Sequence, residues 1–123
     1  LLVQILEATS ENFDDRVNSP GELVVVDFWG PGCPNCEVFA ADIPALLKAL
    51  EGAPVRIVRV NAYADEDLAR RFGLAGIPAF ILLREGRVIG RMSEYYGRAW
   101  WLGVIRDHLP GGDSARGPGR TGF

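Results

Sequence analysis

Cys33-Pro34-Asn35-Cys36 is the segment of this sequence best placed to do chemistry. Two cysteines three apart can approach closely enough for a disulfide when they share the first turn of a helix. The preceding run, Leu23-Val24-Val25-Val26-Asp27-Phe28-Trp29, is nearly continuously apolar, as a central strand covered on both faces should be. Gly30-Pro31-Gly32 breaks that strand, and helical spacing starts near Cys33. Cys33, at the cap, then faces free backbone N–H groups and the positive end of the helix dipole. Both favour thiolate over thiol. Pro34 fits a first helical turn, where its missing N–H costs nothing. Cys33 is therefore expected to be the exposed attacking thiolate. Cys36 is expected to lie deeper and to resolve a mixed disulfide by attacking the Cys33 sulfur. Two other readings compete: a pair of buried structural cysteines, or half of a metal site completed by a second chain.

The surrounding elements must hold that junction in place. An edge strand is expected over residues 2–6, then a short helix over 11–17 capped by Ser10. After the strand at 23–29, a helix runs from Cys33 to about Leu50. Its apolar stripe is Val38, Phe39, Ile43, Leu46, Leu47 and Leu50, and Pro44 should kink it. Val55, Ile57, Val58 and Val60 mark a second long strand. Asp65 to Phe72 reads as a helix with acids first, arginines last and Gly73 as its stop. Gly76-Ile77-Pro78 leads into a buried strand over 79–83. Glu85-Gly86 turns it into a return strand over 87–92. A helix from Arg98 to Leu109 turns Trp101, Leu102, Ile105 and Leu109 inward. The order β-α-β-α-β-α-β-β-α predicts an α/β domain over 1–109, with a mixed parallel and antiparallel sheet and helices on both faces. Residues 110–123 are mostly Gly, Arg, Pro and Ser and are expected to form a flexible tail.

Composition removes other classes. The 123 residues carry a formal charge of -3 and a pI of about 5.1, with no basic groove for nucleic acid. No apolar run approaches the ~20 residues of a membrane-spanning helix. Two cysteines and one histidine cannot complete a four-ligand zinc site within the chain. No metal and no cofactor are expected, so a Cys33–Cys36 disulfide would itself be the redox group. Tyr95, Tyr96, Trp100 and Trp101 read as packing, and His108 as a solvated residue offsetting a helix dipole. The chain opens Leu1-Leu2-Val3 without Met and is read as processed, trimmed or a fragment. The expected compartment is the cytoplasm, with an exported protein after leader removal as the alternative.

The stretch from Val26 to Cys36, together with Gly76-Ile77-Pro78, resembles thioredoxin, and the element order matches from about Leu2 to Leu109. The resemblance implies the thioredoxin fold and a dithiol/disulfide cycle acting on client proteins with disulfides. A partner reductase would renew the electrons, and a monomer is expected. It also implies roles for single residues. Asp27, an acid in an apolar strand, would be the general base for Cys36, its pKa raised by desolvation. Pro78 would be cis, and Ile77, with Gly76 before it, would offer main-chain groups to an extended client segment. Trp29 would pack beside the active site and shield it.

The sequence also departs from that family. Gly32 stands before Cys33 where thioredoxins usually have tryptophan, which opens the thiol and loosens the loop. The dipeptide Pro34-Asn35 replaces Gly-Pro. Asn35 is expected to donate an N–H toward Cys33, stabilising its thiolate and making the couple more oxidising, while Glu37 opposes this. Arg59 stands in for a lysine near the buried acid; it can hold Asp27 ionised but cannot shuttle a proton. Glu94 falls where the family has a glycine on the docking surface and would repel some acidic partners. Pro44 lies three residues later than the usual kink proline.

The leading expectation is thus a thiol–disulfide oxidoreductase that reduces protein disulfides. The second is a donor or isomeriser of disulfides in an oxidising compartment. A redox-silent binding module on the same fold is third, and the intact C-x-x-C, Asp27 and Ile77-Pro78 weigh against it.

Overall fold

The computed structural model describes residues 2–111. Its elements are β1 (Gln4–Ala8), α1 (Phe13–Val17), β2 (Leu23–Trp29), α2 (Pro34–Ala49), β3 (Val55–Asn61), α3 (Glu66–Arg71), β4 (Ala79–Arg84), β5 (Arg87–Met92) and α4 (Arg98–Asp107). The five strands form one sheet in the order β1-β3-β2-β4-β5. β3 pairs in parallel with β1 and β2, and β4 runs antiparallel to β2 and β5. This is the thioredoxin fold, with the mixed sheet that the element order predicts. The tail expected over 110–123 lies, beyond Gly111, outside the described residues.

Period-two alternation along β2 divides the core. Val24, Val26 and Phe28 join Phe13, Val58, Val60, Leu68 and Phe72 on the face of α1 and α3. Leu23 and Val25 join Ile57, Phe80, Phe39, Leu46, Trp101 and Ile105 on the face of α2 and α4. Both faces of β2 are therefore covered, which is why its sequence is almost entirely apolar. By the same alternation Asp27 and Trp29 belong to the α2/α4 face, at the end of the strand where α2 begins.

Several local expectations need correction. β1 starts at Gln4, two residues late. α1 begins at Phe13 and is preceded by Asn12 rather than capped by Ser10; the Asn12 side-chain oxygen accepts from the Thr9 N–H instead of a helix donor, and the Ser10 N–H donates to Asp65 Oδ1 at 3.0 Å. Val38 is 52% exposed: it lies one position off the Phe39, Leu46 and Leu50 stripe, about 100° round the helix. Pro44 lies inside the 16-residue α2, where the sequence placed it. His108 stands at the C-terminus of α4 as expected, but it is half-buried rather than fully solvated. Its Nδ1 lies 2.8 Å from the Val104 carbonyl, its ring covers Gly90 of β5, and its carbonyl accepts from Arg84. The Glu85-Gly86 turn is as expected, both residues having positive φ, as a tight hairpin turn requires.

Candidate functional site

Cys33 is the N-cap of α2, and Pro34 takes the first helical position. A disulfide joins Cys33 to Cys36 with their Cα atoms 5.2 Å apart. The Cys36 N–H also donates to Cys33 Sγ at 3.2 Å, a cap in which sulfur does the work usually done by oxygen. When the disulfide opens, that donor and the helix N-terminus face the Cys33 sulfur, where negative charge develops. Cys33 is 9% exposed and Cys36 4%, so the order of depth is the expected one by a small margin, but Cys33 is buried rather than the open thiol expected behind Gly32, because in the disulfide its sulfur is turned in toward Cys36.

Asp27 is 1% exposed. It is the direct register partner of Arg59 on β3, and Arg59 Nε donates to its Oδ2 at 2.8 Å. Burial raises the Asp27 pKa from 3.8 to about 6; Arg59 lowers it by charge and hydrogen bond, and Glu7 on β1 raises it slightly. Desolvation therefore outweighs the ion pair. The expectation that arginine holds this acid ionised is only partly met, since near pH 6 the acid still exchanges a proton. The Arg59 guanidinium also lies 5.2 Å from the centre of the Trp29 ring, so Trp29 covers the ion pair.

The Ile77–Pro78 peptide bond is cis, and Pro78 is buried. Gly76 is exposed and Ile77 half-buried. A Cβ on Gly30 would come within 2.9 Å of both Ile77 Cδ1 and the Tyr63 ring. Ile77 and Tyr63 thus meet over Gly30, three residues before Cys33. Gly32 has φ +74° with open space around its Cα, so backbone conformation rather than crowding favours glycine there.

Asn35 is the clearest correction. Its side-chain amide does not turn to Cys33. It donates to Glu94 Oε1 and, at 3.1 Å, to the Tyr95 carbonyl. Glu94 also accepts from the Tyr95 N–H at 3.2 Å, so its carboxylate is bound within the loop between β5 and α4 rather than free on a partner rim. The Tyr95 hydroxyl donates to Asp42 Oδ2 on α2 at 2.6 Å. Burial, reinforced by the Asp42 carboxylate, pushes the Tyr95 phenol well above its usual range. The loop is therefore tied to α2 at Asn35 and again at Asp42.

Sequence reasoning assembled Cys33, Cys36, Asp27, Arg59, Trp29 and Pro78 at this end of the sheet. It missed Gly30 as a packing site, Tyr63, which stands 60% exposed beside Ile77, and the Tyr95–Asp42 bond. Gly30-Pro31-Gly32 signals a strand break, but nothing local shows what packs against the break. Among the described residues no three of His, Cys, Asp or Glu gather to hold a metal ion, and no helix is long and apolar enough to cross a membrane.

Comparison with known proteins agrees with this geometry. The sequence model described as Thioredoxin matches residues 4–100. The chain is 33% identical over 105 residues to "Probable protein disulfide-isomerase A4" of Caenorhabditis elegans, covering 84% of this chain and 16% of that protein. It is 36% identical over 102 residues to "Protein disulfide-isomerase A4" of Rattus norvegicus, covering 81% of this chain and 15% of the relative. The chain thus spans about a sixth of the length of these relatives. In fold it is similar to a single-substitution mutant of thioredoxin from Halobacterium salinarum, with a TM-score of 0.72 at 17% identity, covering 85% of this chain and 90% of that one.

Proposed function

The chain belongs to the thioredoxin family, and on that premise we propose that it is a protein-disulfide oxidoreductase whose working group is the Cys33–Cys36 pair. One observation carries the reading: the two sulfurs are bonded at the N-terminus of α2, with the Cys36 N–H donating to Cys33 Sγ. In the reduced protein the Cys33 thiolate attacks one sulfur of a client disulfide. A Cys33–client bond forms, and the client's other sulfur leaves as thiolate. Cys36 then gives its proton to the Asp27 carboxylate and attacks Cys33 Sγ. The second client thiolate leaves, and the Cys33–Cys36 disulfide closes. Two electrons have passed to the client, and a dithiol donor or a reductase must return them.

Ile77, beside the cis proline, offers main-chain groups to an extended client segment, a mode tolerant of client sequence. The residues responsible are Cys33 as nucleophile, Cys36 as resolving thiol and Asp27 as base, with Arg59 and Trp29 setting the environment of that base. No cofactor takes part in this sequence of steps. The chain acts as a monomer in the cytoplasm, renewed by a reductase.

The names of the matched relatives favour a second direction, isomerisation of client disulfides; such exchange would run in an oxidising compartment. The same residues serve it, with the cycle run from the disulfide form or left open at the mixed disulfide. Insulin reduction with dithiothreitol tests the shared chemistry: C33S abolishes turnover and C36S accumulates a mixed disulfide with the client. Full activity in C33S would end both directions. The reduction potential separates them: about -270 mV supports reduction, and about -180 mV supports exchange.

A further inference from the structure

The loop between β5 and α4 reaches into the active-site motif at one point. Asn35, between the two cysteines, has both side-chain N–H groups committed, one to Glu94 Oε1 and one to the Tyr95 carbonyl. Those two residues lie 59 and 60 positions further along the chain. Tyr95 is itself buried and anchored through its hydroxyl to Asp42, so the loop is a fixed support. The Glu94 carboxylate has a second donor in the Tyr95 N–H, which holds it in place to receive Asn35. An uncharged amide two residues from Cys33 is thereby turned away from the sulfur that must carry charge.

Taking the oxidoreductase reading as its basis, we infer that Glu94 is a positioning residue that sets the balance of the Cys33–Cys36 couple by withholding the Asn35 amide from Cys33. The balance concerned is the exchange of the Cys33–Cys36 disulfide with two glutathione thiols, giving the dithiol and one glutathione disulfide. The two glutathione sulfurs are oxidised, and the protein pair takes up their electrons and protons. Whatever stabilises the Cys33 thiolate draws this equilibrium toward the dithiol and makes the couple more oxidising. With Glu94 in place, the Cys36 N–H is the donor that Cys33 Sγ receives. Without Glu94, one Asn35 N–H is released and becomes a second.

The test is the glutathione equilibrium constant at pH 7 for the full chain and four variants. Glu94→Ala is expected to raise the constant about tenfold, the size of one added hydrogen bond to a charged sulfur. Glu94→Gln keeps the accepting oxygen and stays within about threefold of the parent. Asn35→Ala also stays near the parent, since its amide was not serving Cys33. The double variant Glu94→Ala/Asn35→Ala loses the rise, because the donor is gone, and this closes a double-mutant cycle. A constant in Glu94→Ala that is unchanged or lower overturns the inference. So does a rise that persists in the double variant, or one that appears equally in Glu94→Gln, because charge alone would then explain it. A parent chain whose cysteines fail to cycle with glutathione at all overturns the oxidoreductase reading, and this inference with it.

Discussion

Asp27 and Arg59 face each other across the β2–β3 ladder as direct register partners, with Arg59 Nε 2.8 Å from Asp27 Oδ2 and the Arg59 guanidinium over the Trp29 ring. The pair places a carboxylate inside the sheet's α2/α4 face, beneath the helix that carries both cysteines. Its arginine moderates, but does not cancel, the cost of burying it.

That balance has a sign in pH. Burial raises the Asp27 pKa from 3.8 to about 6, so between those values the folded chain holds a proton that the unfolded chain releases. Asp27 therefore contributes full stability below about pH 4, and its contribution falls as pH rises to about 6 and stays low above it. The stability difference between the parent and Asp27→Asn should shift by up to about 3 kcal/mol in favour of the variant between pH 3.5 and 7. Urea unfolding of both proteins across that range checks this. A difference that does not change with pH would mean the acid is not raised. The limb of the client-reduction rate that rises near pH 6 should be lost in the same variant.

Arg59 should act on that inflection from the other side. It is the residue that lowers the Asp27 pKa, so Arg59→Ala moves the inflection above pH 6. Arg59→Lys keeps the charge but loses the flat guanidinium against Trp29, and should move it less. The pH dependence of turnover, or the carboxyl resonance of Asp27, reports the order. Equal profiles in all three proteins would show that the ion pair has no hold on the acid.

Gly30 and Gly32 should fail for different reasons. A methyl on Gly30 meets Ile77 and the exposed Tyr63 ring, so Gly30→Ala should cost about 1 kcal/mol and displace the residue before the cis proline. Reduction of a protein client should then fall more than reduction of a small aromatic disulfide. Gly32→Ala meets nothing, and its cost of about 1–2 kcal/mol comes from φ +74° alone. A Gly30→Ala protein as stable and active as the parent would show that the contact gives way freely.

The Tyr95 hydroxyl ties the loop before α4 to α2. Tyr95→Phe should cost about 1 kcal/mol, because the half-buried Asp42 keeps some hydration in place of the lost donor. Thermal unfolding checks the cost, and hydrogen exchange at the Tyr95 and Tyr96 amides should quicken if the tie is what holds the loop.

The elements were legible because their signals are local. A strand covered on both faces must be continuously apolar, as Leu23 to Trp29 is, and a cap followed by proline and a second cysteine three residues on defines the start of α2 within one turn. The acid at Asp27 stood out for the same reason, as a charge interrupting an apolar run. Short elements were less legible. Ser10 has the right type for a cap, but α1 begins two residues later than expected, at Phe13, and the Ser10 N–H is held by Asp65, 55 positions away, a contact no local pattern shows.

By itself, then, the sequence determined the order of elements, the placing of two cysteines at the start of a helix and the acid within an apolar strand, since each rests on residues within a turn or a strand of one another. Only the tertiary structure decided where the Asn35 amide points, that Glu94 is bound rather than free, that Tyr63 and Ile77 meet over Gly30, and that His108 covers Gly90. A polar side chain has several partners within reach of its own type. Which one it takes depends on what the packed sheet and helices bring beside it, and no local pattern carries that information.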